Sequence, residues 1–358
     1  MYIGDRMGMN LKIGYVPYSS DLTQPADRRR FPHFAERKKI VYEIADPKKN
    51  YDLIILPAPS NLTKWLLFKR KNPSTIFIFE MVDSLIFPTD IFSKFFKGVG
   101  RFLLRKDSLV YFNYRKLIIK WIKIADVVIC SSTEIKTSIS KWNENVFVSL
   151  DYLEDEYRSL KNNFEINGKM KLVWEGQGSV LPHFLHFKNL FEQINSFCEL
   201  HVITSEKYSL SGQFRKRDSK KILKKLPIKT IFHQWEMDSK DKIISKCDCG
   251  IIPLNRNHLF GWHKPANKLI SFWFTGLPTI VSDTPAYKEL MNEAGDDLFC
   301  SDIGDWIEKV HLIKDMPASE RENISKRDRA FVQKNYSDEV LDKIWEQIFE
   351  KAISKHKR

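Results

Sequence analysis

Short runs rich in Val and Ile, such as DLIILP (52–57), TIFIFE (75–80) and DVVICSS (126–132), recur along the chain with helix-length segments between them. Apolar and polar residues hardly alternate inside these runs, which marks strands covered on both faces. Such strands need a helix layer on each side, so the pattern predicts a parallel α/β architecture. LKIGYV (11–16) and NVFVSL (145–150) complete a first series. A second series comprises MKLVWEG (170–176), ELHVIT (199–204), IKTIFH (228–233), DCGIIPL (248–254), PTIVSD (278–283) and DDLFC (296–300).

At 358 residues the chain exceeds what one core ordinarily fills, so two strand series imply two domains. The expected organisation is a Rossmann-like domain over 1–154, a polar linker over 155–169, a second Rossmann-like domain over 170–336 and a terminal helix over 337–358. That helix is the clearest in the chain. Ser337 suits its N-cap, Asp338 and Glu339 its first turn, and Leu341, Ile344, Trp345, Ile348, Phe349, Ala352 and Ile353 recur at helical spacing.

The formal net charge of +13 calls for an anionic partner, whether nucleic acid, an acidic membrane surface or a phosphorylated ligand. Five scattered cysteines fit a reducing, cytoplasmic setting better than a disulfide framework. The N-terminus lacks an apolar run, so no signal peptide is expected, and Met7 or Met9 would serve as the natural start. The longest apolar runs are strand-length.

Two stretches carry the densest chemistry. In LVWEGQGSVLPHFLHFKNLFEQI (172–194) a strand ends at Glu175, a turn of Gly176, Gln177 and Gly178 follows, and a helix is expected soon after. Glycines admit a ligand close to the backbone, and a helix start offers N–H groups to an anion. A tight strand-to-helix turn is the plain alternative. In KPANKLISFWFTGLPTIVSD (264–283) Pro265 suits a first helical turn. Lys264 and Lys268 sit at the same end, where the helix dipole disfavours cations unless an anion joins them.

The stretch DCGIIPL…KPANKLISFWFTGLPTIVSDTPAYKEL resembles the donor-binding half of GT-B glycosyltransferases, specifically the "glycosyl transferases group 1" family (family 4). Lys264, Asn267, Lys268, Leu269, Gly276 and Pro278 match its K-x-x-N-K-L…G-x-P pattern, with Glu289 in the closing helix. KLVWEGQG resembles the first strand and glycine turn of that half, FHQWEMDSKDKIISKCDCGIIPL the stretch around Trp235, and ADVVICSSTEIKTSI the end of the acceptor half. Where many members carry two glutamates eight positions apart, this chain has His263 and Ser271.

The resemblance implies two Rossmann-like domains with parallel sheets facing a central cleft, and a terminal helix crossing back to the first. It implies retaining, metal-independent transfer of a sugar from a nucleotide-diphosphate sugar to a glycan or lipid-linked acceptor, as in surface polysaccharide synthesis. Donor contacts would come from Gly176, Gln177, Gly178, Lys188, Trp235, Lys264, Asn267, Lys268, Ser271 and Glu289, and His263 joins the catalytic candidates. Neutralising a leaving diphosphate is the chief chemical demand. Lysines and backbone N–H groups would meet it without metal or other cofactor, and the chain has no Asp-x-Asp motif.

Three further segments remain. Asp27, Arg28, Arg29 and Arg30 form a basic loop after the first strand, a candidate acceptor site or a solvated face. Glu80 and Asp83 stand at a strand end and are candidates for the acceptor hydroxyl or catalytic base. Between 91 and 125, nine Lys/Arg interleave with aromatics, with Asp107 the sole acid. That stretch suits an anionic bilayer, RNA or simple packing on the sheet. His183 and His186 lack an evident third metal ligand. The expected setting is the cytoplasm, with the inner face of the plasma membrane as a docking surface and no nucleic-acid partner. The competing reading is a non-catalytic or RNA-binding protein on the same scaffold.

Overall fold

The computed structural model describes residues 11–19, 21–82, 86, 108–109, 113–209, 216–255 and 259–354. It divides into two compact units, one holding the chain up to Tyr152 and from Asp338 on, the other Leu153–Ser337.

The first unit contains strands β1 (Ile13–Tyr15), β2 (Glu43–Ile44), β3 (Leu53–Pro57), β4 (Ile76–Met81), β5 (Val127–Cys130) and β6 (Val146–Val148). Its early helices are α1 (Pro25–Arg29), α2 (Phe31–Lys38), α3 (Leu62–Lys71), α4 (Tyr114–Ile124) and α5 (Thr133–Ile139). The sheet runs β2-β1-β3-β4-β5-β6, parallel throughout. Its strands alternate between two cores, which is why they look continuously apolar. Ile54, Leu56, Phe77 and Phe79 meet Leu62, Trp65, Leu117, Trp121 and Ile135 of α3, α4 and α5 on one face. Leu53, Ile55, Ile76 and Ile78 meet Phe31 and Phe34 of α2 on the other. There they also meet Trp345, Ile348 and Phe349 of the terminal helix.

The second unit holds β7 (Met170–Glu175), α6 (Lys188–Ile194), β8 (Cys198–Thr204), β9 (Lys207–Tyr208), β10 (Arg217–Asp218), α7 (Ser219–Leu223), β11 (Thr230–Gln234), α8 (Lys240–Ile244) and β12 (Cys249–Ile252). It continues through α9 (Leu259–Trp262), α10 (Asn267–Phe274), β13 (Thr279–Ser282), α11 (Pro285–Ala294), β14 (Phe299–Cys300), α12 (Ile303–Asp315) and α13 (Ala318–Tyr336). α14 (Asp338–Ser354) belongs to the first unit. The main sheet is parallel in the order β11-β8-β7-β12-β13-β14. In order of appearance along the sheet this is 3-2-1-4-5-6, the Rossmann arrangement, with its crevice between β7 and β12. β9 and β10 form a small antiparallel pair apart from it.

Residues 155–169, expected as a linker, pack on this second unit. Asp241 accepts the N–H groups of Arg158 at 3.1 Å and Ser159 at 2.7 Å, and the buried Lys161 donates its ammonium to the Cys247 carbonyl at 2.7 Å. Among the described residues no helix is long and apolar enough to cross a membrane.

Candidate functional site

β7 ends at Glu175 beside the crevice where the strand order reverses, and Gly176 follows. A methyl on Gly176 would lie 2.6 Å from Lys268 Nζ and 2.8 Å from the Trp174 ring, so only glycine lets these side chains close over the turn. Lys268, the second residue of α10, sends its ammonium across to the Glu175 carbonyl. The ammonium also lies 3.9 Å from Glu175 Oε2 and 4.8 Å over the Trp174 ring. Trp235, just beyond β11, donates its indole N–H to Glu175 Oε1 at 2.7 Å. Behind it the fully buried Lys240 bonds Glu156 Oε2 at 3.0 Å and lies over the rings of Tyr157 and Trp235. Three segments distant in sequence thus converge on the end of one strand.

Gly178 is also closely packed, since a Cβ there would meet Tyr208 at 2.8 Å. The helix expected after the glycines is a run of 3₁₀ turns, Gly178–Phe187, with the exposed Gln177 at its cap. Pro182 lies inside this run and cannot donate an N–H, which disfavours a regular α-helix there. α6 therefore opens only at Lys188, which is exposed.

Pro265 does not sit in the first turn of α10. Ala266 is the N-cap, and its carbonyl accepts the Ile270 N–H at 3.1 Å. The residue before a proline is steered away from helical angles, so Lys264 and Pro265 approach α10 from outside. Asn267 opens the helix, half-buried like Lys264. Ser271 is 3% exposed and donates its hydroxyl to the Asn267 carbonyl at 2.8 Å. His263 is buried. Glu289, on α11, lies near Glu293 and Tyr336. Burial first, then the Glu289 charge, raises the Glu293 carboxyl. Among the described residues, no hydrogen bond or ion pair joins Lys188, Ser271 or Glu289 to the Glu175 cluster.

A cleft of about 860 Å³ opens at the C-terminal ends of β12, β13 and β14. Leu254, Asn255, Trp262, Ser282, Ser301 and Asp302 line it. His186 lines it too and was noted in the sequence, whereas Asn255, Ser282, Ser301 and Asp302 were not. The only available signal was their place just after strands, where α/β sheets bind ligands. Among the described residues, no group of three His, Cys, Asp or Glu side chains is placed to hold a metal ion, His183 and His186 included.

In the first unit, the segment expected as a basic loop is helical, forming α1 and α2. Asp27 faces inward and accepts from Tyr15 Oη at 2.7 Å, Tyr18 N at 2.8 Å, Ser19 N at 3.1 Å and Ser19 Oγ at 3.0 Å. Its carboxylate organises the loop after β1. Arg28 donates to the Thr23 carbonyl, and Arg29 is half-buried. Arg30 is 1% exposed and Glu80 is fully buried. The Arg30 guanidinium bonds the Glu80 carboxylate, Asp151 Oδ1 at 2.9 Å and the Ser149 carbonyl at 3.2 Å. Tyr18 Oη donates to the other Glu80 oxygen at 3.0 Å. Burial first, then the Glu80 charge, holds the Tyr18 phenol well above its usual range. Tyr18 and Asp151 were missed in sequence because nothing local pairs them with Glu80. Asp83 lies outside the described residues, as does much of 91–125.

No family model matches the chain, and no curated protein sequence matches it. Solved structures do. HepE of Anabaena, in complex with UDP and glucose, matches with a TM-score of 0.63 at 12% identity over 96% of this chain and 100% of that one. Sucrose-phosphate synthase from Thermosynechococcus elongatus gives 0.61 at 12% identity over 91% and 77%. TarM of S. aureus, determined with UDP and alpha-GlcNAc-glycerol, gives 0.55 at 12% identity over 83% of this chain, which spans about 55% of TarM. At such identities the likeness is one of fold. The class is therefore α/β with two Rossmann-like domains, the GT-B fold.

Proposed function

We propose that the chain is a glycosyltransferase that moves a sugar from a nucleotide-diphosphate sugar to a glycan or lipid-linked acceptor. The observation that carries this reading is the reach of Lys268 from the start of α10 to the glycine turn after β7, at the crevice of a Rossmann-ordered sheet. A cation held there can exchange its carbonyl partner for a diphosphate and stabilise the charge that develops as the glycosidic bond breaks. Lys264, Asn267 and the Gly176–Gly178 backbone would complete the phosphate site, with Gln177 beside it. Trp235, fixed by Glu175 and Lys240, would take the nucleoside end. Lys188 and Glu289 would make outer donor contacts, and Ser271 would take the place of the second family glutamate.

Acceptor activation would fall to Asp83, while the buried Glu80 holds Tyr18 and Arg30 in place; His263 would be a catalytic candidate within the second unit. Within the first unit, Arg28 and Arg29 would meet the acceptor, while Asp27 and Arg30 shape its site. The reading extends to retention of configuration, family 4 membership, metal-independent transfer and cytoplasmic surface-polysaccharide synthesis. The bound UDP of the HepE and TarM structures makes uridine diphosphate the first probe. A thermal-shift panel of UDP, GDP and their sugars tests the assignment, because a ligand of the native state raises its melting temperature. Stabilisation by one nucleotide series, lost in Lys268→Ala, supports it. No response to any nucleotide would remove its basis.

A further inference from the structure

α3 and α4 lie on the same face of the first sheet and share one core, where Trp121 donates its indole N–H to the Leu62 carbonyl at 3.1 Å. Their ten and eleven residues hold eight Lys/Arg and no Asp or Glu. Both helices begin with the same device, an asparagine N-cap (Asn61, Asn113) accepting the backbone N–H of a lysine three residues on (Lys64, Lys116). A lysine in the first turn opposes the helix dipole, so this placement does not serve the helices themselves. Lys64, Arg70 and Lys71 of α3 and Lys116, Lys120 and Lys123 of α4 line the outer side, and among the described residues none of the six makes an ion pair.

The opposite layer behaves differently. There Arg37 pairs with Asp338 at 3.3 Å and Asp342 at 3.1 Å, and Lys38 with Asp342 at 3.2 Å and Glu346 at 3.0 Å. Among the described residues, Arg37 and Lys38 of α2 are paired with acids of α14, whereas the six cations on α3 and α4 are not.

We propose that the outer face of α3 and α4 docks on an anionic lipid bilayer. Five of the six cations are lysines, point charges suited to a diffuse negative surface rather than to bidentate phosphate recognition. Leu67, 38% exposed, and the half-buried Ile119 stand among them as apolar residues able to enter the headgroup region. RNA is the poorer fit, because Trp65, Phe68, Tyr114 and Trp121 are all turned into the core and leave no ring from these helices for bases to stack on. The docking is independent of the nucleotide-sugar assignment and gives the protein a route to lipid-borne acceptors.

The test is co-sedimentation of the full chain with vesicles of phosphatidylcholine alone and with about a third phosphatidylglycerol, an anionic fraction able to attract basic surface segments. The expected result is binding to the anionic vesicles only. Replacing Lys64, Lys116, Lys120 and Lys123 by Gln weakens it by two to three orders of magnitude, about fivefold per lysine. A control removes the same charge at exposed Lys48, Lys224, Lys225 and Lys246 and keeps the binding. Equal loss in both variants would reduce the effect to net charge and overturn the proposal. So would absent vesicle binding, or RNA binding that the α3/α4 variant alone abolishes while vesicles are ignored.

Discussion

The indole N–H of Trp235 lies 2.7 Å from Oε1 of Glu175, joining the segment after β11 to the last residue of β7. The same glutamate's backbone carbonyl receives the Lys268 ammonium. Side chain and backbone of one residue therefore fix an aromatic and a cation on either side of the strand end. Trp235→Phe removes the donor and leaves a part-buried carboxylate oxygen short of a partner. The expected loss is about 1–2 kcal/mol, read from urea denaturation. A variant as stable as the native chain would show that the bond contributes nothing net.

Arg30 and Glu80 form a fully buried pair. Breaking such a pair from one side strands the remaining charge. Arg30→Met should destabilise the first unit by about 3–5 kcal/mol. Adding Glu80→Gln should recover part of that loss, since the stranded carboxylate is then gone. Additive losses in the double variant would mean that the two residues are not coupled.

Asp296 and Asp328 share a buried site with Arg327, whose guanidinium lies 2.9 Å from each. Burial first, then the Asp296 charge, pushes the Asp328 carboxyl up to about 8 from an ordinary 3.8. The folded state thus holds a proton that the unfolded chain releases above about pH 4. Its stabilising contribution is full below that pH and declines as pH rises through about 8. Asp328→Asn removes the dependence, so its melting temperature relative to the native chain should climb between pH 4 and 8. A constant difference across that window would contradict a shared proton.

Gly276 and Gly295 both adopt left-handed backbone angles, φ 80° and 70°. A methyl at Gly295 meets nothing within 4 Å, whereas one at Gly276 comes within 2.7 Å of Ser325 Oγ. Gly295→Ala should cost about 1–2 kcal/mol from backbone strain alone. Gly276→Ala should cost more, and Ser325→Ala should return the excess, measured by thermal unfolding of the three variants.

Much of this architecture is legible in the sequence because burial writes it there. Strands covered on both faces, such as Leu53–Pro57 and Ile76–Met81, have no polar face to blur them, and the period of Leu341, Trp345, Ile348 and Phe349 announces a helix with one buried stripe. The elements missed are those with little side-chain signal. β2 is two residues on a sheet edge, and the β9–β10 pair is equally short. At the site, Gly176 and Lys268 stood out through their unusual local placement. Glu175 as their meeting point, and Tyr18 and Asp151 around the Arg30–Glu80 pair, arise from contacts between segments far apart in sequence. The inward turn of Asp27 and Arg30 was hidden for the same reason, since a basic run looks alike whether it faces water or a buried carboxylate.

The most direct measurement is calorimetric titration of UDP and GDP into the native chain, Lys268→Ala and Lys264→Ala. The expected result is saturable binding of one nucleotide to the native chain and a loss of tenfold or more in Lys268→Ala, about 1.4 kcal/mol or greater. Lys264→Ala should weaken it as well. Equal affinity in all three proteins would place any nucleotide elsewhere and contradict the donor site at the end of β7.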